Sequence, residues 1–574
     1  MNTDDYSNSF SFCPMCGVKL PFGTRFCFNC GYELLRGAEQ EKKSAFKEDG
    51  QVRKRGILFT NLCVLAQKYH ITLAEVETVL NGFIRSHQPL GQDWVLLDAS
   101  RFQIRTADQD AGDWHVYADM IDSFCRLEGI CTGADLSVFI IGGPDVIPQP
   151  KTEGDDLAPA YYADLYYCFK GELDLEFLNY KQARCNVGRL PLEVGPMQTT
   201  FEDDVAAYLA RSLEITQTGA IWIGRAIMTS NRDWIPASRE MSRNLPMPHL
   251  ANDDHDVLDN MFISPNILQT MPDNLRKKYY AELAEADMLV FNLHGSDHEE
   301  KNGYYSTALA FSVDMLQHTK AKIFNTVACW GARYIHYTRE YSLMLQAIYQ
   351  HQVMLFAGSC APALGKCGNF QQDQTWAIQP AAYSETFMSR FCEYECLGTM
   401  TAGEAFLKAK CDYYNASRAI EKDEYSLATI LMFNLYGNPM LCTEPDVDSI
   451  VSLQREDGTK MQKVPFRRMH RKVIMDCSKG YRNTVPGSLL DEIRSSVDLN
   501  LKMIHERVVN EVYRYWKVEP RHLFSVEHYT SQQAFGAMVE GYIYNYRDQN
   551  KEISSEIKVF VDSCGAITDA IQTK

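Results

Sequence analysis

At 574 residues, 45% of them hydrophobic and 23% charged, the chain is too long for one ordinary core and too apolar for wholesale disorder. It carries 57 Lys and Arg against 74 Asp and Glu, a net charge of −17, which excludes a surface built throughout to track nucleic-acid phosphates. No stretch approaches the roughly 20 uninterrupted apolar residues of a membrane span. The start, Met1-Asn2-Thr3-Asp4-Asp5, lacks the basic and apolar regions of an export signal, so a soluble, cytoplasmic protein with reduced cysteines is expected.

The first chemical signal is Cys13-Pro14-Met15-Cys16, followed after ten residues by Cys27-Phe28-Asn29-Cys30, with Gly17 and Gly31 trailing the two pairs. Each pair brings two thiolates to one side of a tetrahedral ion, and the glycines permit the tight turns. Residues 1–35 therefore read as a zinc ribbon with Cys13, Cys16, Cys27 and Cys30 as ligands to a structural Zn. Four cysteines leave no open position for catalysis. Such ribbons contact protein or nucleic acid. Residues 36–56 read as a charged linker. Helical apolar spacing from Leu62 to Phe83 predicts a pair of helices, taken as a helical adaptor over 57–90.

Beyond it, apolar runs alternate with helix-length segments, the pattern of an α/β fold with a parallel sheet flanked by helices. Strands are expected at 94–98, 136–143, 220–224, 287–293, 322–328 and 352–358, and a helix at 114–124. Their continuous hydrophobicity suits a sheet covered on both faces. From about Val447 the tail has a basic segment at 466–472, a helix within 489–516 and a closing hairpin that includes 556–562, an α+β extension over 446–574.

The strand ending at Leu293 leads into His294-Gly295-Ser296, and the strand ending at Ala328 leads into Cys329-Trp330-Gly331. Residues 304–317 are expected to form the helix of a crossover between them. A right-handed crossover brings both strand ends to one sheet edge, where open α/β sheets hold ligands. A neighbouring imidazole favours the thiolate and relays a proton to a leaving amine, so Cys329 and His294 point to cysteine acyl transfer. Gly295 has no side chain to keep its N–H from an oxyanion, with the Cys329 N–H as second donor.

These segments resemble the caspase clan of cysteine peptidases, and within it the gingipain-type family. The resemblance rests on His294-Gly295 and Ala328-Cys329-Trp330-Gly331, with Ile140–Pro148, Tyr161–Tyr167 and Val187–Pro191 upstream, and Leu355–Ser359, Leu397–Lys410 and Asn434–Met440 downstream. It covers roughly 90–445 and implies an N-terminal subdomain over 91–200 and a catalytic subdomain over 201–445. It further implies Cys329 as nucleophile, His294 as acid and base, and Asp164 as the carboxylate of a pocket for Arg or Lys. The acid that follows the strand ending at Ile141 in that family is replaced by Gly142-Gly143-Pro144, so Asp145 or Glu153 stands as third catalytic member, or a backbone carbonyl orients the ring in its place. The expected function is an intracellular protease acting on protein substrates, without membrane contact and restrained by a regulatory protein or nucleic-acid complex, with a role in prokaryotic defence by analogy. The competing expectation is a zinc-ribbon scaffold with a silent peptidase domain.

Overall fold

The computed structural model describes residues 10–12, 19–21, 54–101, 113–153, 160–171, 173, 178–231, 234, 237–238, 241–242, 245–246, 273–296, 303–305, 309–366, 382–420, 424–446, 466–476, 499–516, 518–533, 538–548, 555–563 and 565–573. In chain order the principal strands are β1 (Lys54–Thr60), β2 (Gln92–Asp98), β3 (Ser137–Ile141), β4 (Asn186–Leu190), β5 (Ala226–Ser230), β6 (Met288–Asn292), β7 (Ile323–Thr326), β8 (Leu355–Ser359), β9 (Leu364–Lys366) and β10 (Phe433–Gly437). They are followed by β11 (Phe466–Asp476), β12 (Leu523–Gln533), β13 (Met538–Asp548), β14 (Ser555–Asp562) and β15 (Ile567–Thr573).

Nine of these form one mixed sheet in the order β5-β6-β7-β8-β10-β4-β3-β1-β2. Residues of β3, β6, β7 and β8 are buried throughout, as a sheet covered on both faces requires. The covering helices are α1 (Leu62–Tyr69), α2 (Leu73–His87), α3 (Trp114–Glu128), α4 (Ala207–Thr218), α5 (Asp273–Glu285), α6 (Leu343–Tyr349), α7 (Ser384–Glu395), α8 (Ala402–Ile420) and α9 (Glu424–Met432). Their ends follow local chemistry. Thr72 and Glu75 close a reciprocal capping box on α2, and α3 starts at the Asp113 side chain and stops at Gly129, whose φ of 64° suits glycine.

The sheet is not uniformly parallel as expected. β5 to β8 run one way, and β10, β4, β3, β1 and β2 run the other, with the reversal at the antiparallel pair Leu355↔Gly437 to Ser359↔Phe433. Consequently the carboxyl edge of β6, β7 and β8 is the amino edge of β10 and β4. Residues 57–90 are not a separate adaptor either. β1 and β2 pair in parallel, and α1 and α2 form the crossover between them. The 220–224 run supplies Ile221–Ile223, which lies outside the main sheet in a ribbon with Thr443–Pro445; its Trp222 is 52% exposed, and the sheet strand is the next segment, β5. The 304–317 stretch is a hairpin, Gly303–Tyr305 against Leu309–Ser312, followed by a short 3-10 turn. Its Tyr304, Tyr305 and Phe311 suit a pleated surface better than a helix interior.

The tail builds a second, antiparallel sheet in the order β9-β15-β14-β13-β12-β11, backed by α10 (Leu499–Trp516). Ile504, Val508 and Val512 of that helix share a core with Val526, Tyr544 and Val559. The basic 466–472 segment lies in β11.

One buried acid makes stability depend on pH. Glu395 of α7 accepts a 2.8 Å hydrogen bond from the Asn325 amide on β7, and burial, opposed by that bond, pushes its carboxyl up to about 8. Glu395 Oε1 and Asn325 Oδ1 are both buried without a hydrogen-bond partner among the described residues, and a protonated Glu395 carries a donor where the carboxylate has none. The folded pKa lies above the ordinary 4.5, so the unfolded chain releases this proton first. Stability is therefore full below about 4.5 and falls as pH rises toward about 8. Glu395→Gln is expected to flatten that fall and to raise stability near pH 8 by a few kcal/mol, read from urea unfolding at a series of pH values.

Candidate active site

β6 and β7 pair in parallel from Met288↔Ile323 to Phe291↔Thr326, so His294 and Cys329 leave the same edge on neighbouring strands. The approach is close. A Cβ placed on Gly295 would lie 1.7 Å from the Cys329 carbonyl oxygen and 3.1 Å from its nitrogen, so only glycine fits. Among the described residues nothing accepts from the Gly295 N–H. The N–H after the nucleophile is taken, since Trp330 donates to Ala361 O at 3.0 Å. Trp330 has φ 50°, a left-handed conformation that costs a bulky residue about 1–2 kcal/mol and marks the turn as functionally constrained.

The Cys329 thiol is backed by the segment that follows β8. The Ala363 N–H donates to Sγ at 3.2 Å, and Sγ donates to Ala363 O at 3.5 Å. The residue is 2% exposed and lines a polar cleft together with Ser296, Gly331, Arg333, Tyr337 and Tyr341. Arg333 lies over the Tyr337 ring at 4.6 Å. The neighbouring Cys360 donates to Tyr162 O at 3.4 Å, and burial pushes its thiol up to about 11, so it stays protonated near neutral pH.

His294 pairs by two backbone hydrogen bonds with Tyr305, the hairpin strand that replaces the expected helix. Its ring stands edge-on to Trp234, centroids 4.5 Å apart. Trp234 follows β5, whose polar Thr229 and Ser230 hide it from a search for unbroken apolar runs. Tyr304 donates to Gly331 O at 2.8 Å and fixes the turn after the nucleophile.

The candidate acids part company. Asp145 follows β3 and therefore lies at the opposite edge of the sheet from His294, where it pairs with Lys68 at 2.6 Å and accepts from the Gly195 N–H. It cannot orient this imidazole. Glu153 is exposed on the hairpin Lys151–Glu153 with Ala160–Tyr162, and Tyr162 O accepts from both Asn434 Nδ2 and Cys360 Sγ, which ties the hairpin to the catalytic edge.

Asp164 differs from the expectation of a substrate-binding carboxylate. Its side chain is 7% exposed and is held by Arg189, itself fully buried, through Nε to Oδ2 at 2.9 Å and Nη2 to Oδ1 at 2.7 Å. Burial opposes the Arg189 charge, but Asp164 and the tyrosines around it raise its pKa above the ordinary arginine value. The remaining guanidinium hydrogens go to Gly142 O, Ile147 O and Pro148 O. The charge of Asp164 is thus matched inside the protein, and no carboxylate lines the described part of the cleft.

Cys13, Cys16, Cys27 and Cys30 lie outside the described residues, among which no group of side chains is arranged for a metal ion. No helix of the described residues is long and apolar enough to cross a membrane.

No curated protein and no solved structure matches the chain. Residues 132–443, more than half of the sequence, match Peptidase family C25, a range that contains His294, Cys329 and the strands that carry them. The chain therefore belongs to Peptidase family C25 and is a cysteine peptidase.

Proposed function

We propose that the chain is an intracellular cysteine endopeptidase working through a Cys329 and His294 dyad. Cys329 Sγ passes its proton to His294 and attacks the scissile carbonyl carbon, and the N–H groups of Gly295 and Cys329 receive the oxyanion. His294 gives that proton to the leaving amine, and the thioester that remains is hydrolysed by a water whose proton passes through the same imidazole to the departing Sγ. The observation that carries this reading is the packing of Gly295 directly on the Cys329 backbone at the carboxyl edge of two parallel strands. With Asp145 at the far edge, Glu153 or a backbone carbonyl is left to orient His294, and Trp234 stands edge-on to its ring. Because Arg189 engages Asp164, the reading carries no preference for Arg or Lys.

Incubating the full chain with peptidyl acyloxymethyl ketones, one basic and one neutral beside the reactive carbon, tests the assignment. One covalent adduct mapped to Cys329, absent from His294→Ala, is the expected result. Silence toward both probes would turn the domain into a scaffold.

The N-terminal module completes the proposal. Phe10–Phe12 and Lys19–Pro21 pair antiparallel on either side of the first cysteine pair, the strand arrangement a zinc knuckle needs. We assign Cys13, Cys16, Cys27 and Cys30 to one structural zinc that folds a partner-recruiting module through which the protease is restrained. About one zinc per chain by elemental analysis, lowered by Cys13→Ser, is expected. Zinc content unchanged by that substitution would remove the assignment.

A further inference from the structure

The segment that backs the nucleophile also belongs to the other sheet. Ala363 contacts Cys329 Sγ through both its N–H and its carbonyl, and the next residue, Leu364, begins β9. β9 is not part of the catalytic sheet. It pairs antiparallel with β15 as Leu364↔Thr573, Gly365↔Gln572 and Lys366↔Ile571, and so forms the edge of the C-terminal sheet. Two further contacts fix the junction. The Leu364 N–H donates to Ser384 Oγ at the start of α7, and Leu364, Tyr383 and Tyr425 of the catalytic body bury against Tyr529, Ile543, Phe560 and Ile571 of the tail. Lys558, only 5% exposed, donates to the Tyr425 hydroxyl at 3.2 Å.

Resting on the assignment of Cys329 as nucleophile, we infer that Ile571, Gln572 and Thr573 are positioning residues for the peptidase reaction: by pairing with β9 they hold Ala363 against the catalytic sulfur. The Ala363 N–H, at 3.2 Å the nearer of the two contacts, stabilises negative charge on sulfur and outweighs the opposing carbonyl oxygen at 3.5 Å, so losing the segment disfavours the thiolate. And β9 is only three residues long, with its first residue anchored to α7 and the other two registered only against β15 among the described residues, so its place depends on a strand about 200 residues away in sequence. The tail is on this view part of the active site's scaffold, and it turns any event that disturbs the C-terminal sheet into a change at the nucleophile.

The test measures iodoacetamide labelling of each cysteine across pH by mass spectrometry, in the full chain and in a chain lacking Ile571, Gln572 and Thr573. The exposed Cys63 and Cys131 serve as internal references. A third variant, Ile571→Val with Gln572→Thr and Thr573→Val, keeps the main-chain ladder while changing every side chain. In the deletion, labelling of Cys329 at pH 7 is expected to slow by about 10- to 100-fold, with its pH midpoint moved upward, while the references are unchanged and the triple substitution restores the original profile. Unchanged Cys329 kinetics in the deletion would overturn the inference alone. Loss of hydrogen-exchange protection throughout β6 and β7 would reduce it to a stability effect and overturn it too. If Cys329 of the unaltered chain reacts no faster than Cys63 and Cys131, the nucleophile assignment itself fails.

Discussion

Cys329→Ala is expected to lower kcat for peptide hydrolysis by at least about 10³-fold, with the melting temperature within a few degrees of the parent chain. The size follows from the chemistry: without sulfur no thioester forms, and only the oxyanion donors and substrate binding remain to accelerate attack by water. The stability expectation follows from packing. Cys329 contributes one small side chain at a strand end, and the core beneath it, with Val327, Ala328, Phe291 and Phe324 all buried, is untouched. His294→Ala should cost about 10²–10⁴-fold, the usual worth of a positioned acid and base. Combining the two should cost little more than Cys329→Ala alone, since groups that act as a unit are not additive. Independent, multiplying losses would mean that imidazole and thiol serve different steps. Retained turnover in Cys329→Ala would place the nucleophile elsewhere, and Cys360 is a poor substitute because its thiol stays protonated.

Much of this site can be read from the sequence because the strands that carry it are covered on both faces and appear as unbroken apolar runs. β6 and β7 satisfy that condition, so His294 and Cys329 stand out as polar residues at the ends of buried strands. β5 also is buried, but Thr229 and Ser230 interrupt its hydrophobicity; Ser230 instead satisfies its hydroxyl with Ser238 Oγ and Asn231 O. Without that strand, Trp234 has no place at the catalytic edge. The reversal of direction at β8 and β10 depends on Leu355 meeting Gly437, a long-range pairing that leaves no local trace. That reversal decides the fate of Asp145, which is near the catalytic residues in a uniformly parallel sheet and at the far edge in this one. β9 is harder still. Three residues carry no periodicity, and its role comes entirely from the strand it meets.

Asp164→Asn is expected to destabilise the chain by about 3–5 kcal/mol, because it leaves the fully buried Arg189 guanidinium without its counter-charge. Neither group can turn to water for relief. The loss should spread beyond the pair, since Gln149 donates to Asp164 Oδ2 and accepts from Tyr334, in the segment that follows Cys329, and the Asp164 N–H is held by Asn434 Oδ1. Replacing Arg189 by methionine should cost a similar amount, with the carboxylate then stranded and the carbonyls of Gly142, Ile147 and Pro148 without a donor. In the double variant the two effects should be strongly non-additive, as for any pair whose members are costly mainly when alone. Denaturant unfolding of the four chains reads all three expectations. The same variants separate a structural aspartate from a substrate-binding one: with Asp164 committed to Arg189, Asp164→Asn should leave the relative cleavage of basic and neutral peptides unchanged at temperatures where it remains folded. An Asp164→Asn chain that unfolds like its parent but loses discrimination for Arg and Lys would put this carboxylate back in the substrate pocket and make the buried ion pair incidental.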